Sequence, residues 1–239
     1  MNRVMKKFYK LVNVEKLPEG FAVNLDGRPV KTKSGQIILC PNIKMANMVM
    51  KEWMDQEEEI IPDSMPLTQL LNTKIDRISQ EREVMSVTIL KYLNTDLLCY
   101  RAGEDQPEIS RAQVKILDQW ISWFEEKFSE ELLTTTGLSA LKQAESAHEK
   151  ITQYVHLIDD DHFTILQFVT SLSGSIVLAL AFVEGAATAE QVFEASRVEE
   201  AYKNELYNAN KYGPDPMQEK KDKIVRFDLE AAEQYLKLL

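Results

Sequence analysis

Few of the residue types that carry catalytic or metal chemistry lie close together in this sequence. Of the three histidines only His162 stands in a dense group, directly after three consecutive aspartates at 159–161. A metal site needs several converging ligands, whereas acids at this spacing also stabilise the positive N-terminal end of a helix. We therefore interpret 159–162 as a helix start, and we expect no metal ion and no other cofactor.

The cysteines and the glycines point away from the common enzyme classes. Cys40 and Cys99 fit neither a metal-ligand spacing nor a disulfide framework, which indicates two buried thiols in a reducing compartment. The sequence has no glycine-rich phosphate loop and no Gly-x-Ser-x-Gly elbow. We expect a protein-binding chain without enzymatic activity, and an enzyme with a dispersed acid-based site is the alternative.

Three residues on predicted helices are candidates for binding a protein partner. Trp123 lies off the apolar stripe that contains Trp120 and Phe124, so it packs elsewhere or faces a partner. On a later helix Tyr202 belongs to the apolar stripe and Glu205 lies at its edge. An acid beside apolar surface suits an ion pair with a basic group of another chain, although simple solvation is the alternative.

The charge is distributed unevenly along the 239 residues. Residues 1–40 carry eight Lys and Arg against three Asp and Glu, a net charge of +5, whereas the whole chain has −10, which leaves −15 for the remainder. Nucleic-acid binding needs a basic footprint, so we expect no nucleic-acid partner. The acidic part of the chain must face solvent or a protein.

The elements that position these residues change type along the chain. Residues 8–40 predict a small antiparallel meander, with a two-residue turn at Asp26-Gly27 between the strands 21–25 and 28–32. Helices follow from Asn42 onwards, including one long helix or two end-to-end helices over 67–93. We predict an α+β protein in which a small β-rich N-terminal domain, 1–80, precedes a larger all-helical domain, 81–239.

The helical part contains one stretch that is long and apolar enough to be tested as a membrane span. Residues 163–183 carry no charge, but they contain several Ser and Thr residues and follow the three aspartates. A helix that is apolar nearly all round is also typical of the centre of a bundle. We expect a single buried helix over 162–184 and no membrane insertion. Capping-box patterns predict further helix starts at Ser110 and Thr188, the latter helix reaching about Asn208.

Several segments, taken in order, resemble one known family. The opening Phe8-Tyr9 and Gly20-Phe-Ala-Val-Asn-Leu-Asp-Gly-Arg-Pro-Val-Lys-Thr32 is similar to the start of the assembly chaperone of the F-type ATP synthase catalytic head, the member that binds the alpha subunit. Later segments agree in the same order: Glu52-Trp53, Met65-Pro-Leu-Thr68, Asn72-Thr73, Ile75-Asp-Arg77, Thr95-Asp-Leu-Leu-Cys-Tyr-Arg101, Ser173-Gly-Ser-Ile-Val-Leu-Ala-Leu-Ala181, Tyr202-x-x-Glu205 and Asp228-Leu-Glu-Ala-Ala232.

The resemblance implies a function without catalysis. Members bind the free alpha subunit and shield the surface that later contacts the beta subunit, and Glu205 falls on an acidic position that the resemblance marks as important. A subunit taken from an obligate interface exposes an apolar patch, which explains why it needs cover. A helical adaptor for another protein remains the alternative. The resemblance, with Met1 and no presequence, indicates a bacterial, cytoplasmic member that is a monomer when free; the mitochondrial matrix is the alternative.

Overall fold

The computed structural model describes residues 5–206 and 216–239, without the side chains of 203–206. The described part divides into two compact units. The first comprises residues up to 82 together with 231–239, and the second comprises residues 83–230. The sequence predicted a boundary near residue 80 and assigned the whole C-terminus to the helical part; the last nine residues instead group with the first unit. That these units are separate folding domains stays a prediction.

The first unit contains two antiparallel sheets. The strands are β1 (Met5–Lys6), β2 (Val12–Leu17), β3 (Gly20–Leu25), β4 (Arg28–Pro29), β5 (Leu39–Cys40) and β6 (Glu59–Ile60). The larger sheet has the order β2-β3-β4 with β5 also pairing with β3, and the smaller sheet joins β1 to β6. The small β-rich start and the helical remainder confirm the predicted α+β class. The strand β6 was missed, because two residues are too few to show a period.

The turn between β3 and β4 has the predicted geometry. Asp26 has φ 48° and Gly27 has φ 78°, which is the positive-φ pair of a type I′ hairpin. The Asp26 carboxylate also accepts hydrogen bonds from the backbone N–H groups of Lys10 (3.1 Å) and Leu11 (2.8 Å). Because these charged hydrogen bonds favour the ionised form, the pKa of Asp26 is lowered. The turn thus also fixes the chain that leads into β2.

The helices of the first unit pack on the sheet and are capped by acids and amides. The helix α1 (Ile43–Met54) is capped by Asn42, whose Oδ1 accepts from the N–H of Met45, and it packs against β2 and β3. The Glu52 carboxylate accepts from the N–H of Leu67 (2.7 Å) and of Thr68 (2.8 Å) in the first turn of α2 (Pro66–Thr73). Burial raises the pKa of Glu52, and it outweighs these hydrogen bonds, which by themselves lower the pKa.

The chain stays helical from residue 66 to residue 94, as the absence of Gly and Pro predicted. After α2 it passes through a π-helical turn at Lys74–Ile78 into α3 (Ser79–Leu90) and then a 3₁₀ turn at Lys91–Asn94. Within the π turn, Asp76 accepts from the hydroxyl of Ser34 (2.5 Å). The wide turn therefore carries a side chain that holds the loop between β4 and β5.

The second unit is helical, and one long helix contacts several of the others. The α-helices are α4 (Pro107–Phe128), α5 (Glu145–Leu157), α6 (Asp160–Ser173), α7 (Ile176–Val183), α8 (Ala189–Ser196), α9 (Val198–Leu206) and α10 (Pro216–Lys237), the last of which ends in the first unit. Contacts join α4 to α5, α7, α8 and α9. The short helix α7 is almost completely buried and forms the apolar centre.

Three helix predictions need correction. The single helix predicted over 162–184 is two helices, because Gly174 takes a left-handed φ of 72° and Ser175 caps a new start. The helix predicted over 188–208 breaks at Arg197 into α8 and α9. The start predicted at Ser110 is wrong, because α4 begins at Pro107. No helix in the described ranges is long and apolar enough to cross a membrane.

Candidate functional site

The structure separates the sequence-predicted partner residues into two places. Tyr202 lies on α9, where its hydroxyl donates to the carboxylate of Glu108 in the first turn of α4. Trp123 lies 15 residues further along α4, about 22 Å from Glu108 along the helix axis. There it is half-buried and packs edge-on against the ring of Phe128, with centroids 6.1 Å apart. Glu205 falls in the last turn of α9, and its side chain lies outside the described residues.

A buried amide joins α9 to α4 near Tyr202. Gln113 is 1% exposed, and its Nε2 donates to Glu199 Oε1 at 2.9 Å while its Oε1 accepts from the N–H of Ala102 at 2.7 Å. The sequence had assigned this glutamine to a capping box. Its observed role is to fix α9 and the loop before α4 onto one side of α4, because all its strong hydrogen-bonding groups except one N–H are engaged.

A half-open groove runs along this side of α4. Its volume is about 420 Å³, and it lies between α4 and the irregular segments that precede and follow it. It is lined by Arg101, Ser110, Gln113, Val114, Asp118, Ile121, Ser122, Leu132 and Thr134. Val114 is 55% exposed and Leu132 is buried, so the groove offers apolar surface at its floor and its edge. Sequence reasoning missed it, because its walls come from segments without helical or strand periodicity.

An ion pair lies in the groove. Arg101 Nη2 is 2.9 Å from Asp118 Oδ1, and the Arg101 Nε–H donates to the carbonyl of Leu98 at 2.7 Å. The arginine side chain is 12% exposed and the aspartate side chain is 52% exposed, so solvent reaches the pair mainly at the aspartate. The only sequence signal for this pair was the position of Arg101 at the end of the Thr95–Arg101 run. Among the described residues that line the groove, Asp118 is the acid and Arg101 is the base.

The segment that carries Arg101 is held in place by a fully buried carboxylate. Asp96 is 0% exposed and accepts from the N–H of Leu98 (3.0 Å) and from the N–H of Val177 (3.1 Å) at the start of α7. Burial raises the pKa of Asp96 to about 6, because its hydrogen bonds only partly replace water. A single carboxylate therefore accepts hydrogen bonds both from the start of α7 and from the segment that leads to Arg101 in the groove wall.

The arrangement suits binding better than catalysis. The described residues that line the groove include no histidine and no cysteine, and burial raises the pKa of the nearby Cys99 thiol to about 12, which keeps it protonated and unreactive. Within residues 5–206 and 216–239, no cluster of three or more His, Cys, Asp or Glu side chains has a metal-binding arrangement. The Asp159 carboxylate accepts from the N–H of His162 at 2.9 Å and so caps α6, as the sequence predicted.

Comparison with known proteins gives one consistent result. A model of the ATP12 chaperone protein family matches residues 6–125. The mitochondrial protein atp12 of Schizosaccharomyces pombe is 24% identical over 200 residues, which cover 78% of this chain and 68% of that protein.

Solved structures extend the likeness to nearly the whole chain. Atp12 from Paracoccus denitrificans superposes with a TM-score of 0.85 and 28% identity, covering 98% of each chain. The Atu1473 protein of Agrobacterium tumefaciens gives a TM-score of 0.87 and 29% identity, covering 98% of this chain and 86% of that one. The relatives thus come from a mitochondrion and from two bacteria.

Proposed function

The chain belongs to the ATP12 chaperone family, and from that membership we propose that it assists assembly of the F-type ATP synthase by binding the free alpha subunit. The family description is of a chaperone and not of an enzyme. The observation that carries the proposal is the partly apolar groove of α4, located beside the helix that bears the family's Tyr202-x-x-Glu205 segment. No cofactor enters the proposal.

The groove supports a shielding role on physical grounds. A subunit that awaits its partner exposes apolar surface, and a chaperone that must later leave needs a smaller and more polar contact than the final interface. Val114 and Ile121 supply apolar contact, while the Arg101–Asp118 pair supplies polar groups at the exposed aspartate end. In this proposal the contact covers the surface of alpha that later binds beta. Glu205, Tyr202 and Trp123 remain the proposed partner-binding residues, with Tyr202 acting through Glu108.

The proposal places the protein in the bacterial cytoplasm, as a monomer until it meets its client. The mitochondrial matrix is the alternative, since the fission yeast relative is mitochondrial. In either compartment the free thiols Cys40 and Cys99 stay reduced.

Co-purification with separately expressed alpha and beta subunits from the same source tests the proposal. We expect selective capture of alpha and loss of that capture when beta is added, because beta competes for the shielded surface. Capture of beta alone, or of neither subunit, would overturn the assignment and favour the adaptor alternative.

A further inference from the structure

The buried side of α4 contains one hydrogen-bonding amide among apolar residues. Six residues of this helix, which lies wholly within the described part of the chain, are buried, and five of them are apolar or aromatic. The sixth is Gln113, four residues after Ile109 and four before Leu117, so it lies within the apolar stripe. Replacing a buried hydrogen-bonded pair by apolar groups of the same shape is often neutral for stability, whereas the pair itself specifies one arrangement of the elements it joins. Gln113 therefore indicates that the orientation of a neighbouring element matters here.

The element that Gln113 orients is α9. Its Nε2 donates to Glu199 Oε1 at 2.9 Å, and in the next turn of α9 the hydroxyl of Tyr202 donates to the carboxylate of Glu108. Glu199 and Tyr202 are three residues apart, so they lie about 60° apart around α9 and share one face. Their partners are five residues apart on α4, about 7.5 Å along its axis. Two attachments at separate points fix both the tilt of α9 and its rotation about its own axis.

The two attachments differ in their access to water. The hydrogen bond between Tyr202 and Glu108 lies at the surface, where water competes for both groups. Gln113 is 1% exposed, and its amide has a single orientation, because its oxygen accepts from the N–H of Ala102 at 2.7 Å while its nitrogen faces Glu199. The buried amide is therefore the stronger determinant of the rotation of α9.

We propose that Gln113 is a positioning residue for the contact of this chaperone with its client: its amide fixes the rotation of α9 and thereby where the last turn, which carries Glu205, is presented. This rests on the proposed function, in which Glu205 binds the alpha subunit. A shift of α9 by one residue corresponds to a rotation of 100° about the helix axis, which is enough to remove one position of the last turn from a contact. Gln113 itself does not touch the client at α9.

Exchange of donor and acceptor tests the contact. In Gln113→Glu the N–H of Ala102 keeps an acceptor, but a carboxylate oxygen then faces Glu199 Oε1 and the two oxygens repel. Adding Glu199→Gln supplies a donor again, so the double variant Q113E/E199Q rebuilds the hydrogen bond with its direction reversed, and Glu199→Gln alone completes the cycle. We expect Q113E to weaken binding of purified alpha subunit about tenfold and the double variant to come within about threefold of the unaltered chain.

A matched control adds the same charge elsewhere on α4. Gln119 is exposed, and its Nε2 donates only to the backbone carbonyl of Ile116 in the previous turn. We expect Gln119→Glu to bind the alpha subunit like the unaltered chain. Equal weakening by Gln119→Glu and Gln113→Glu would show a general charge effect and would overturn the inference.

Combination with Glu205→Lys separates positioning from a loss of stability. If Gln113 acts through Glu205, the tenfold penalty of Gln113→Glu shrinks to less than about twofold in the Glu205→Lys background, because the contact that it positions is already lost. A variant that only destabilises the fold loses affinity by the same factor in both backgrounds. Circular dichroism and urea unfolding check the fold, and Gln113→Met, which removes the hydrogen bonds without adding charge, must show the same dependence on Glu205.

The outcomes separate the inference from the function on which it rests. Unchanged affinity of Gln113→Glu, no recovery in the double variant, or equal penalties in the two Glu205 backgrounds would overturn the inference and leave the proposed function in place. Normal binding by Glu205→Lys would also overturn it, since no contact is then left to position. Failure of the unaltered chain to bind the alpha subunit would overturn both.

Discussion

Two carboxylates, the half-buried Glu52 and the fully buried Asp96, accept hydrogen bonds from the first turns of helices that lie elsewhere in the sequence. Glu52 caps α2 across 15 residues, and Asp96 caps α7 across 81 residues. Both lie in segments that carry the family resemblance. A carboxylate can accept several N–H groups at once, and a helix start leaves N–H groups without partners, so one acid can join two elements. These acids are therefore structural.

The buried Asp96 makes stability depend on pH in a defined direction. Its pKa is 3.8 when unfolded and about 6 when folded, so between these values the native state binds more protons than the unfolded chain. The contribution of Asp96 to the free energy of unfolding is fully present below pH 3.8 and declines as the pH rises to about 6. The Asp96→Asn variant cannot ionise. We expect the free energy of unfolding of the unaltered chain, minus that of the variant, to fall by on the order of 2 kcal/mol across this window.

Urea unfolding at both ends of the window, at constant ionic strength, measures this difference. Asp76→Asn is the control, because hydrogen bonds from Ser34 lower the pKa of Asp76 and move its titration below the window. A difference that stays constant for Asp96→Asn would contradict the assignment of the raised pKa.

Glu205 can be tested by reversing its charge. We expect Glu205→Lys to leave the far-ultraviolet circular dichroism spectrum unchanged and to weaken alpha-subunit binding about tenfold, since an acid at the edge of the α9 stripe pairs with a basic group of the client. Glu200→Lys, at an exposed position on another side of α9, is the matched control and should bind normally. Unchanged affinity of Glu205→Lys with a normal spectrum would refute the role of Glu205.

At the scale of elements, interruptions of helices decide where the site residues lie. The break at Gly174 divides one apolar stretch into α6 and α7. It leaves backbone N–H groups at the start of α7, and these donate hydrogen bonds to the side chains of Ser175 and Asp96. The break at Arg197 likewise starts α9 at the point where Glu199 can reach Gln113. Continuous helices at these places would direct Tyr202 and the groove wall elsewhere.

The Asp26–Gly27 turn allows a prediction about backbone strain. Gly27 has φ 78°, and among the described residues other than its two chain neighbours no atom lies within 4 Å of the position where a Cβ would stand. Gly27→Val therefore creates strain and no clash, and we expect it to lower the free energy of unfolding by about 1–2 kcal/mol without changing affinity for alpha. Gly27→Asn is the control and should cost less, because Asn tolerates positive φ. Equal urea midpoints for the two variants would contradict this explanation.

At the scale of the whole molecule, charge is divided between the start of the chain and the rest. Residues 1–40 carry a net charge of +5 and the remainder carries −15. Such a pattern orients a client before contact, because unlike charges attract over about 10 Å at moderate ionic strength. The expected consequence is fast association and correct orientation more than high affinity.

This charge pattern predicts salt-sensitive association with the client. We expect the association rate constant with the alpha subunit to fall by about tenfold between low salt and an ionic strength near 0.5 M, while the dissociation rate changes less. Stopped-flow mixing of fluorescently labelled chain with alpha at increasing NaCl measures both rates. A rate constant that is independent of salt would show that apolar contact alone controls the encounter.

The sequence by itself determined the features whose physics is local. The Asp26–Gly27 turn and the helix caps at Asn42, Asp159 and Thr188 involve residues at most three or four apart, so their chemistry can be read directly from neighbouring residue types. The α+β class followed from the order of strand-like and helical segments. The family followed from the order of short segments, and the family model and the superpositions confirm it.

Only the tertiary structure decided the groove and its supports. Arg101 and Asp118, Gln113 and Glu199, and Asp96 and Val177 are 17, 86 and 81 residues apart. No periodic pattern links such residues, because their pairing depends on how helices pack and not on the conformation of one segment. The same reason applies to the missed break at Gly174: the buried Asp96, supplied by a distant segment, accepts a hydrogen bond from an N–H group that the break exposes, and the sequence of the helix alone contains no sign of that partner.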